Sequence, residues 1–305
     1  MTIMKFLTYS INNETKLGIL INKKIYAVQD LDASLPNEME VFVQEADKHL
    51  SLLQKACEDL PVEKSLSENE VTIHAPLRQP GSVRDFMAFE NHLLNAAETS
   101  GINIAPEWYE IPAFYFTNHR TIHGPYEDIE RPPNCEMLDF ELEVAIVIGK
   151  EGKNICADEA DDYIFGYTIF NDWSARDLQL KEMPIGLGPA KGKDFATSIG
   201  PYIVTKDELE PFRENKGFNL KMTATVNGKE LSNGNFNSIY YSFNEMIARA
   251  SNGVTLYPGD VIGSGTVGTG CILEFEHGLH PWLADGDEVT LAVEELGTLT
   301  NTIKK

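Results

Sequence analysis

The segment spanning residues 137–150, MLDFELEVAIVIGK, constrains the fold more than any other part of the chain. Asp139, Glu141 and Glu143 alternate with apolar residues, and an uninterrupted apolar run typical of a buried strand follows them. Side chains alternate between the two faces of a strand, so the three carboxylates are expected on one face, about 6–7 Å apart. The carboxylates in such a row repel one another unless they face water or surround a positive group. Because the apolar run continues through Ile148, we favour a hard divalent cation over a solvated acidic face.

Size and charge narrow the class of protein. The chain has 305 residues, of which 42% are hydrophobic, enough for one large domain or two unequal ones. Its formal net charge of −22 would repel nucleic acid and anionic membranes, so neither is expected as a partner. The four cysteines form no CxxC pair, which favours reduced thiols in an intracellular protein. Without a signal peptide or an apolar stretch of the roughly 20 residues that span a bilayer, we expect a soluble, cytoplasmic protein.

Short apolar runs predict a mixed, mainly β fold in two unequal parts. Three strands over 5–28 and a helix over about 38–60, capped by Asn37, predict a small α+β N-terminal domain covering residues 1–75. In residues 76–305, β-branched and aromatic runs separated by Gly, Asn, Asp and Pro predict a β-sandwich or roll. The helical patterns in this larger part lie at 86–99, near 157–162 and at 242–251.

Other polar residues could join the carboxylates. Asp172 follows a strand-like run, where it could reach the same cation or cap the next helix, and the residues support both alternatives equally. In the segment RDFMAFENHLLNAA, Asp85 and His92 are seven residues apart, two turns of a helix, and so are expected on one helical face. A lone histidine on an apolar helix is usually a core residue, but an aspartate and a metal nearby favour a catalytic one. Lys193 lies in a Gly-rich segment that indicates a surface loop, although a lysine beside a metal could hold an oxyanion.

Five motifs occur along the chain in the same order as in one enzyme family. They are RDF–FE–H (84–92), LDFELE (138–143), GYTIFNDWSARDLQ (166–179), GKDFATSIGP (192–201) and SGT…ILE (264–274). On these motifs the chain resembles the fumarylacetoacetate hydrolase family over roughly residues 76–300, with the NDWSARD-x-Q and D-x-E-x-E segments as the most specific parts. The N-terminal residues resemble the family's small variable domain much more weakly.

The resemblance implies a β-roll catalytic domain that dimerises and holds Mg²⁺, Ca²⁺ or Mn²⁺. It also implies roles for the residues that match the family's motifs, with Asp139 outside the ligand set. The implied metal ligands are Glu141, Glu143, Asp172 and Asp85; the implied catalytic residues are His92, Glu274 and Lys193; the implied substrate contacts are Arg176, Gln179, Thr197 and Thr266.

The implied activity is metal-dependent hydrolysis of a carbon–carbon bond in a 1,3-diketo acid, with His92, oriented by Glu274, activating water. Met87 and Met183 stand where fumarylacetoacetase has tyrosines beside its substrate, and that enzyme's substrate-binding arginine is missing near Gly101. Fumarylacetoacetate itself is therefore a weaker expectation than an acylpyruvate or an acid from aromatic amino acid catabolism.

Two alternatives to hydrolysis stay open. An isomerase, decarboxylase or tautomerase of 2-oxo acids on the same scaffold needs the same metal to hold an enolate, so the carboxylates do not separate it from a hydrolase. The pairing of His92 with Glu274 favours hydrolysis. A non-catalytic metal- or acid-binding protein is the other alternative, but such a protein has no need of a histidine–glutamate pair beside the metal.

Overall fold

The computed structural model describes residues 4–101, 103–276 and 279–305, and strands dominate this part of the chain. The main sheet has eleven strands in the described residues, and its central path runs through Lys24–Ala27, Glu14–Ile21, Lys5–Ile11, Thr197–Thr205, Ile164–Asp172, Leu142–Ile148, Val261–Gly263, Val83–Phe86 and Phe114–Thr117. Thr72–His74 and Ile122–His123 pair with it from the side. The second sheet contains Lys229–Asn235, Lys221–Val226, Glu288–Val293, Gly297–Lys304 and Asp128–Glu130. The prediction of a mixed, mainly β fold is therefore confirmed.

Helices and short strand pairs fill the remaining described residues. The α-helices are Val28–Leu31, Met39–Phe42, Ala46–Ala56, Glu90–Ser100, Arg176–Glu182, Lys206–Leu209 and Phe243–Ser251. The 3₁₀ helices are Val43–Glu45, Val62–Lys64, Glu68–Glu70, Pro106–Tyr109, Ala157–Tyr163, Met183–Ile185, Glu210–Phe212, Phe236–Ser238 and Ile272–Glu274. Short strands pair as Leu138–Asp139 with Ser174–Ala175, Gly152–Lys153 with Thr255–Leu256, and Arg213–Glu214 with Gly217–Phe218. Among the described residues, no helix combines the length and the apolarity that crossing a membrane requires.

The N-terminal strands extend the main sheet. Lys5–Ile11 pairs antiparallel with Thr197–Thr205, so the sheet continues from the first residues into the predicted catalytic part. The boundary near residue 75 stays a prediction. The single helix predicted over 38–60 is wrong, because Glu45 adopts a non-helical conformation that separates Met39–Phe42 and a 3₁₀ turn from Ala46–Ala56. Asn37 does not cap this helix; its Oδ1 instead accepts a hydrogen bond from the Leu17 backbone N–H.

The strand Leu142–Ile148 is buried on both faces, unlike an amphipathic strand with one face in water. Neighbouring strands pair with it along both edges. Val144 and Ile146 lie in the larger hydrophobic core, whereas Ala145 and Val147 lie in a second core with residues of the N-terminal part. A strand between two cores needs apolar residues at successive positions, which explains the uninterrupted run that the sequence shows there.

The helix predicted over 86–99 is wrong at its start. Val83–Phe86 is a strand, paired in parallel with Val261–Gly263 and antiparallel with Phe114–Thr117, and the helix begins only at Glu90. Asp85 and His92 therefore lie on different elements and do not share a helical face. The cross-strand hydrogen bonds of Val83–Phe86 link residues far apart in sequence, and local periodicity carries no information about them.

Candidate active site

Four buried carboxylates meet at one end of the central strands. Asp85, Glu143 and Asp172 lie on three strands of the main sheet, and Glu141 immediately precedes one of these strands. One oxygen from each of the four carboxylates lies within 4.8 Å of the others. Asp85 and Glu141 are at most 5% exposed, and Glu143 and Asp172 are fully buried. The structure thus brings together all four residues that the sequence suggested as metal ligands.

Two glycines make room for this cluster. A Cβ at Gly263, whose strand separates those of Glu143 and Asp85, would collide with the Asp85 carboxylate and press on that of Glu143. Gly265 has a φ of +78°, and a Cβ there would collide with the carbonyl of Phe86. Its N–H donates to Glu143 Oε2 at 2.9 Å and to Asp85 Oδ1 at 3.3 Å. The glycines therefore allow the backbone to approach two of the carboxylates and to hold them.

Lys193 neutralises part of the acidic charge. Its Nζ donates to Glu141 Oε2 at 2.7 Å and to Asp172 Oδ2 at 2.6 Å. Burial alone would lower the pKa of Lys193, but Asp172 and Glu141 outweigh burial and raise that pKa above its ordinary value. The lysine is therefore held as an ammonium group inside the cluster, and its side chain is buried, which differs from the exposed loop position that the sequence indicates.

Burial and neighbouring charges shift the pKa values of the four carboxyl groups. Burial raises the pKa of Asp85 well above its ordinary value, and the charge of Asp172 adds to this rise. Burial, together with the charge of Asp85, also raises the pKa of Glu143 well above its ordinary value. Burial raises the pKa of Asp172 as well, although Lys193 opposes this rise. For Glu141, Lys193 and Arg176 outweigh burial, so its pKa is lowered. The cluster thus contains more negative charge than its cationic neighbours compensate.

A divalent cation fits this arrangement. Among the described residues, Glu143 Oε1 and Asp172 Oδ1 are buried without a hydrogen-bond partner. Buried polar atoms are rarely left in this condition, so each such atom indicates a missing partner. The donor set consists of oxygen atoms only, which Mg²⁺, Ca²⁺ and Mn²⁺ prefer. Glu141, Glu143, Asp172 and Asp85 are thus suited to hold such an ion.

His92 and Glu274 form a buried pair beside the cluster. His92 Nδ1 lies 2.8 Å from Glu274 Oε1, and His92 is close enough to Glu141 to lower the pKa of that carboxyl. The other oxygen, Glu274 Oε2, accepts from Asn95 Nδ2 at 2.8 Å and from the Thr269 N–H at 2.6 Å. With Nδ1 facing the carboxylate, Nε2 is the ring atom of His92 that remains to exchange a proton with a ligand.

Arg176 and Asp139 connect the carboxylate cluster to this pair. Arg176 donates from Nε to Asp139 Oδ2 at 2.9 Å, from Nη2 to Glu141 Oε1 at 2.8 Å and from Nη1 to Gln179 Oε1 at 3.0 Å. Asp139 also accepts the backbone N–H groups of residues 272 and 273, at 2.8 and 3.1 Å, in the turn that carries Glu274. Asp139 therefore fixes that turn relative to Arg176 and, through it, relative to Glu141.

The predicted substrate contacts lie around the cluster, and their roles stay predictions. Thr197 faces Asp172 across the sheet, and its buried hydroxyl has no partner among the described residues. Thr266 is buried in the loop that follows Gly265. Arg176 is only 2% exposed, and it engages Gln179 together with the acidic residues.

Sequence reasoning missed Tyr115. Its hydroxyl donates to Asp172 Oδ2, and burial followed by the charge of Asp172 raises its pKa well above the ordinary value. Tyr115 and Lys193 also line a cavity of about 260 Å³, with Thr117 and Asn118 further along the wall. The sequence signal was the position of Tyr115 in an aromatic strand, which by itself indicates only a core residue. Asn95, Gly263 and Gly265 were missed as well, because none of them carries a charge that suggests a catalytic or binding role.

Comparison with known proteins gives relatives for nearly the whole chain. The family pattern described as "Fumarylacetoacetate (FAA) hydrolase C-terminal" matches residues 82–304. The chain is 34% identical over 277 residues to the Homo sapiens protein named "Oxaloacetate tautomerase FAHD2A, mitochondrial", a match that covers 89% of this chain and 81% of that protein. It is 30% identical over 319 residues to "Oxaloacetate tautomerase YisK" of Bacillus subtilis (strain 168), covering 98% of this chain and 100% of that protein.

A solved structure has the same fold. The structure described as a putative HpcE protein from Mycobacterium smegmatis superposes with a TM-score of 0.80 at 25% identity. The match covers 100% of this chain and 99% of that one, so it includes the N-terminal strands as well as the strands that carry the four carboxylates in this chain.

Proposed function

The chain belongs to the fumarylacetoacetate hydrolase family, and from this premise we propose that it is a divalent-metal-dependent tautomerase that interconverts the keto and enol forms of a 2-oxo dicarboxylic acid of the oxaloacetate class. The observation that carries the proposal is the buried His92–Glu274 pair next to four converging carboxylates. The names of the human and Bacillus relatives favour tautomerisation over the hydrolysis expected from the sequence.

The cluster would supply the electrophile. A divalent cation held by Asp85, Glu141, Glu143 and Asp172 would bind oxygen atoms of the 2-oxo acid and polarise its carbonyl group. Lys193 keeps its proton between two carboxylates, so it acts as a fixed positive charge near the enolate oxygen and not as a proton donor. Lys193 and Tyr115 line the adjoining cavity, which can admit a small dicarboxylic acid.

Tautomerisation moves one proton between C3 and the oxygen on C2, and we assign the transfer of this proton to His92. In the keto-to-enol direction the C3–H bond breaks, the proton passes to Nε2, and the electron pair forms the C2=C3 double bond. The C2=O π electrons move onto the oxygen, which then takes the proton from Nε2, so His92 ends the cycle neutral. Glu274 accepts from Nδ1 and stabilises the imidazolium while the proton is on the ring. Asn95 and the Thr269 N–H hold Glu274 in position for this role.

Hydrolysis of a carbon–carbon bond in a 1,3-diketo acid is the second candidate. The same histidine–glutamate pair could take a proton from water, which would then attack the outer carbonyl. Both reactions would use the same carboxylate cluster and the same base, so only the fate of the substrate separates them.

The test follows the ultraviolet band of the enol of oxaloacetate in the presence of Mg²⁺ and quantifies all products by NMR. We expect fast relaxation of the enol band with no loss of total 2-oxo acid, abolished by EDTA and by His92→Ala. Fumarylacetoacetate, fumarylpyruvate and simple acylpyruvates are assayed in parallel. Cleavage of one of these diketones into two acids, without any effect on the oxaloacetate enol, would replace the proposal with hydrolysis. Formation of pyruvate from oxaloacetate would replace it with decarboxylation.

Other expectations accompany the proposal. Mg²⁺ is the expected cation, with Ca²⁺ or Mn²⁺ as alternatives, because all three prefer the oxygen donors that the four ligands supply. The homodimer, the cytoplasmic location and the link to aromatic amino acid catabolism stay predictions from the sequence. The name of the human relative gives a mitochondrial location for that protein.

A further inference from the structure

A buried thiol lies against the histidine–glutamate pair and has no part in the proposed reaction. Cys271 is fully buried, and its Sγ lies 3.5 Å from Glu274 Oε1, the same oxygen that bonds His92 Nδ1 at 2.8 Å. One ring nitrogen of His92, one carboxylate oxygen of Glu274 and the Cys271 sulfur lie within 4.8 Å of one another. Glu274 Oε2 is occupied separately by Asn95 and the Thr269 N–H. One carboxylate oxygen thus anchors the side chain while the other faces a nitrogen and a sulfur donor.

From this geometry we infer that His92, Cys271 and Glu274 form a second metal site, selective for a soft divalent cation such as Zn²⁺, and that its occupancy disables His92 as a base. Tetrahedral zinc with bonds of about 2.0 Å to nitrogen and oxygen and about 2.3 Å to sulfur holds neighbouring donors about 3.3–3.5 Å apart. The observed sulfur–oxygen distance of 3.5 Å already fits. The nitrogen–oxygen distance of 2.8 Å needs to increase by about 0.5 Å to reach the lower end of that range.

The two sites differ in the cations that they select. The carboxylate cluster offers oxygen donors only, which suits Mg²⁺, whereas a thiolate and an imidazole suit zinc and its soft relatives. Burial raises the pKa of the Cys271 thiol well above its ordinary value, so zinc has to displace the thiol proton when it binds. Saturating Mg²⁺ therefore leaves the second site available, and zinc binding there releases a proton.

Binding at Nδ1 has a direct chemical consequence for His92. A metal-bound imidazole nitrogen carries no proton, so the ring proton of neutral His92 moves to Nε2. Nε2 is the atom that accepts the substrate proton in the proposed reaction, and once protonated it has no lone pair to do so. The bond between the metal and Nδ1 also abolishes the hydrogen bond that Nδ1–H donates to Glu274. The inhibition rests on the proposed function of His92, whereas the binding of zinc does not.

Binding is tested with Cd²⁺, because a cadmium–thiolate bond gives an ultraviolet charge-transfer band. The full-length protein in saturating Mg²⁺ is titrated with Cd²⁺. We expect one equivalent to produce the band in the wild type and no band in Cys271→Ser, which keeps a hydroxyl that can donate to Glu274. The control Cys57→Ser/Cys156→Ser removes two less buried thiols and should keep the band. A band that persists in Cys271→Ser, or disappears in the control, would overturn the inference.

Inhibition is tested separately with Zn²⁺ in the enol–keto assay, each variant being compared with its own zinc-free rate. We expect the zinc concentration for half inhibition to rise at least tenfold in Cys271→Ser. Equal inhibition of wild type and variant would mean that zinc acts at the carboxylate cluster, and the inferred inhibition would be wrong. If the chain showed no tautomerase activity, the proposed function would fail while the cadmium band would still decide whether the second site exists.

Discussion

Lys193→Met tests the electrostatic balance of the carboxylate cluster. The change removes an ammonium group that bonds Glu141 at 2.7 Å and Asp172 at 2.6 Å, and it keeps a side chain of similar length. Removing one partner of a buried ion pair costs about 3–5 kcal/mol. Because Asp172 already has a raised pKa and can take up a proton, we expect the lower end, about 3 kcal/mol, in the metal-free protein.

The assay is thermal unfolding in EDTA and in saturating Mg²⁺. With an unfolding entropy of about 2.1 cal/mol/K per residue, about 3 kcal/mol corresponds for 305 residues to a fall in Tm of roughly 5 °C in EDTA. Mg²⁺ should stabilise the variant more than the wild type, because the ion then replaces the missing positive charge. Lys191→Met is the matched control: the Lys191 ammonium group is exposed and, in the described part of the chain, bonds Asp194 alone, so its loss should cost less than about 1 kcal/mol. A Lys193→Met protein as stable as the wild type in EDTA would refute the reasoning.

Three further predictions concern the base, the backbone and pH. His92→Ala should lower turnover about 10²–10⁴-fold while Mn²⁺ binding, measured by electron paramagnetic resonance, stays near the wild-type value, since the ring bonds Glu274 and is outside the carboxylate cluster. Loss of Mn²⁺ binding in that variant would contradict the assignment. Gly263→Ala should weaken Mg²⁺ binding at least tenfold, measured by calorimetry, because the new Cβ collides with the Asp85 carboxylate; unchanged affinity would show that the cluster tolerates the displacement. The raised pKa values of Asp85, Glu143 and Asp172 mean that the metal-free folded protein gains stability from their protonation at low pH and loses it as pH rises through their folded-state pKa values. The difference in Tm between Mg²⁺ and EDTA should therefore grow from pH 5 to pH 8, and a difference independent of pH would be inconsistent with these shifts.

The fold could be predicted from the sequence at the level of class but not of connectivity. Apolar runs such as Leu142–Ile148 identify strands because burial on both faces leaves a local signature. The pairing of Lys5–Ile11 with Thr197–Thr205 leaves no such signature, since it joins distant segments. For the same reason Phe86, the last residue of the strand Val83–Phe86, was predicted as the start of a helix.

The sequence predicted the residues of the site better than it predicted the secondary structure on which they lie. Asp85 and His92 were expected on one helical face, but they lie on different elements. Both residues nevertheless lie in the site region, as the matching motifs predicted. Gly263 and Gly265 escaped notice because the importance of a glycine depends on what its missing side chain would strike, and that is known only once the neighbouring strands are placed. Cys271 escaped notice as well, since a single apolar-flanked cysteine usually indicates a core residue.

The proposed function requires this site to move a proton at C3 of a 2-oxo dicarboxylic acid with the help of a divalent cation and His92. The most direct measurement is proton NMR of oxaloacetate in D₂O, following replacement of the C3 protons by deuterium. The account predicts that the protein with Mg²⁺ accelerates this exchange, and that EDTA or His92→Ala removes the acceleration without unfolding the protein. Exchange at the uncatalysed rate in the presence of the folded, Mg²⁺-bound protein would contradict it.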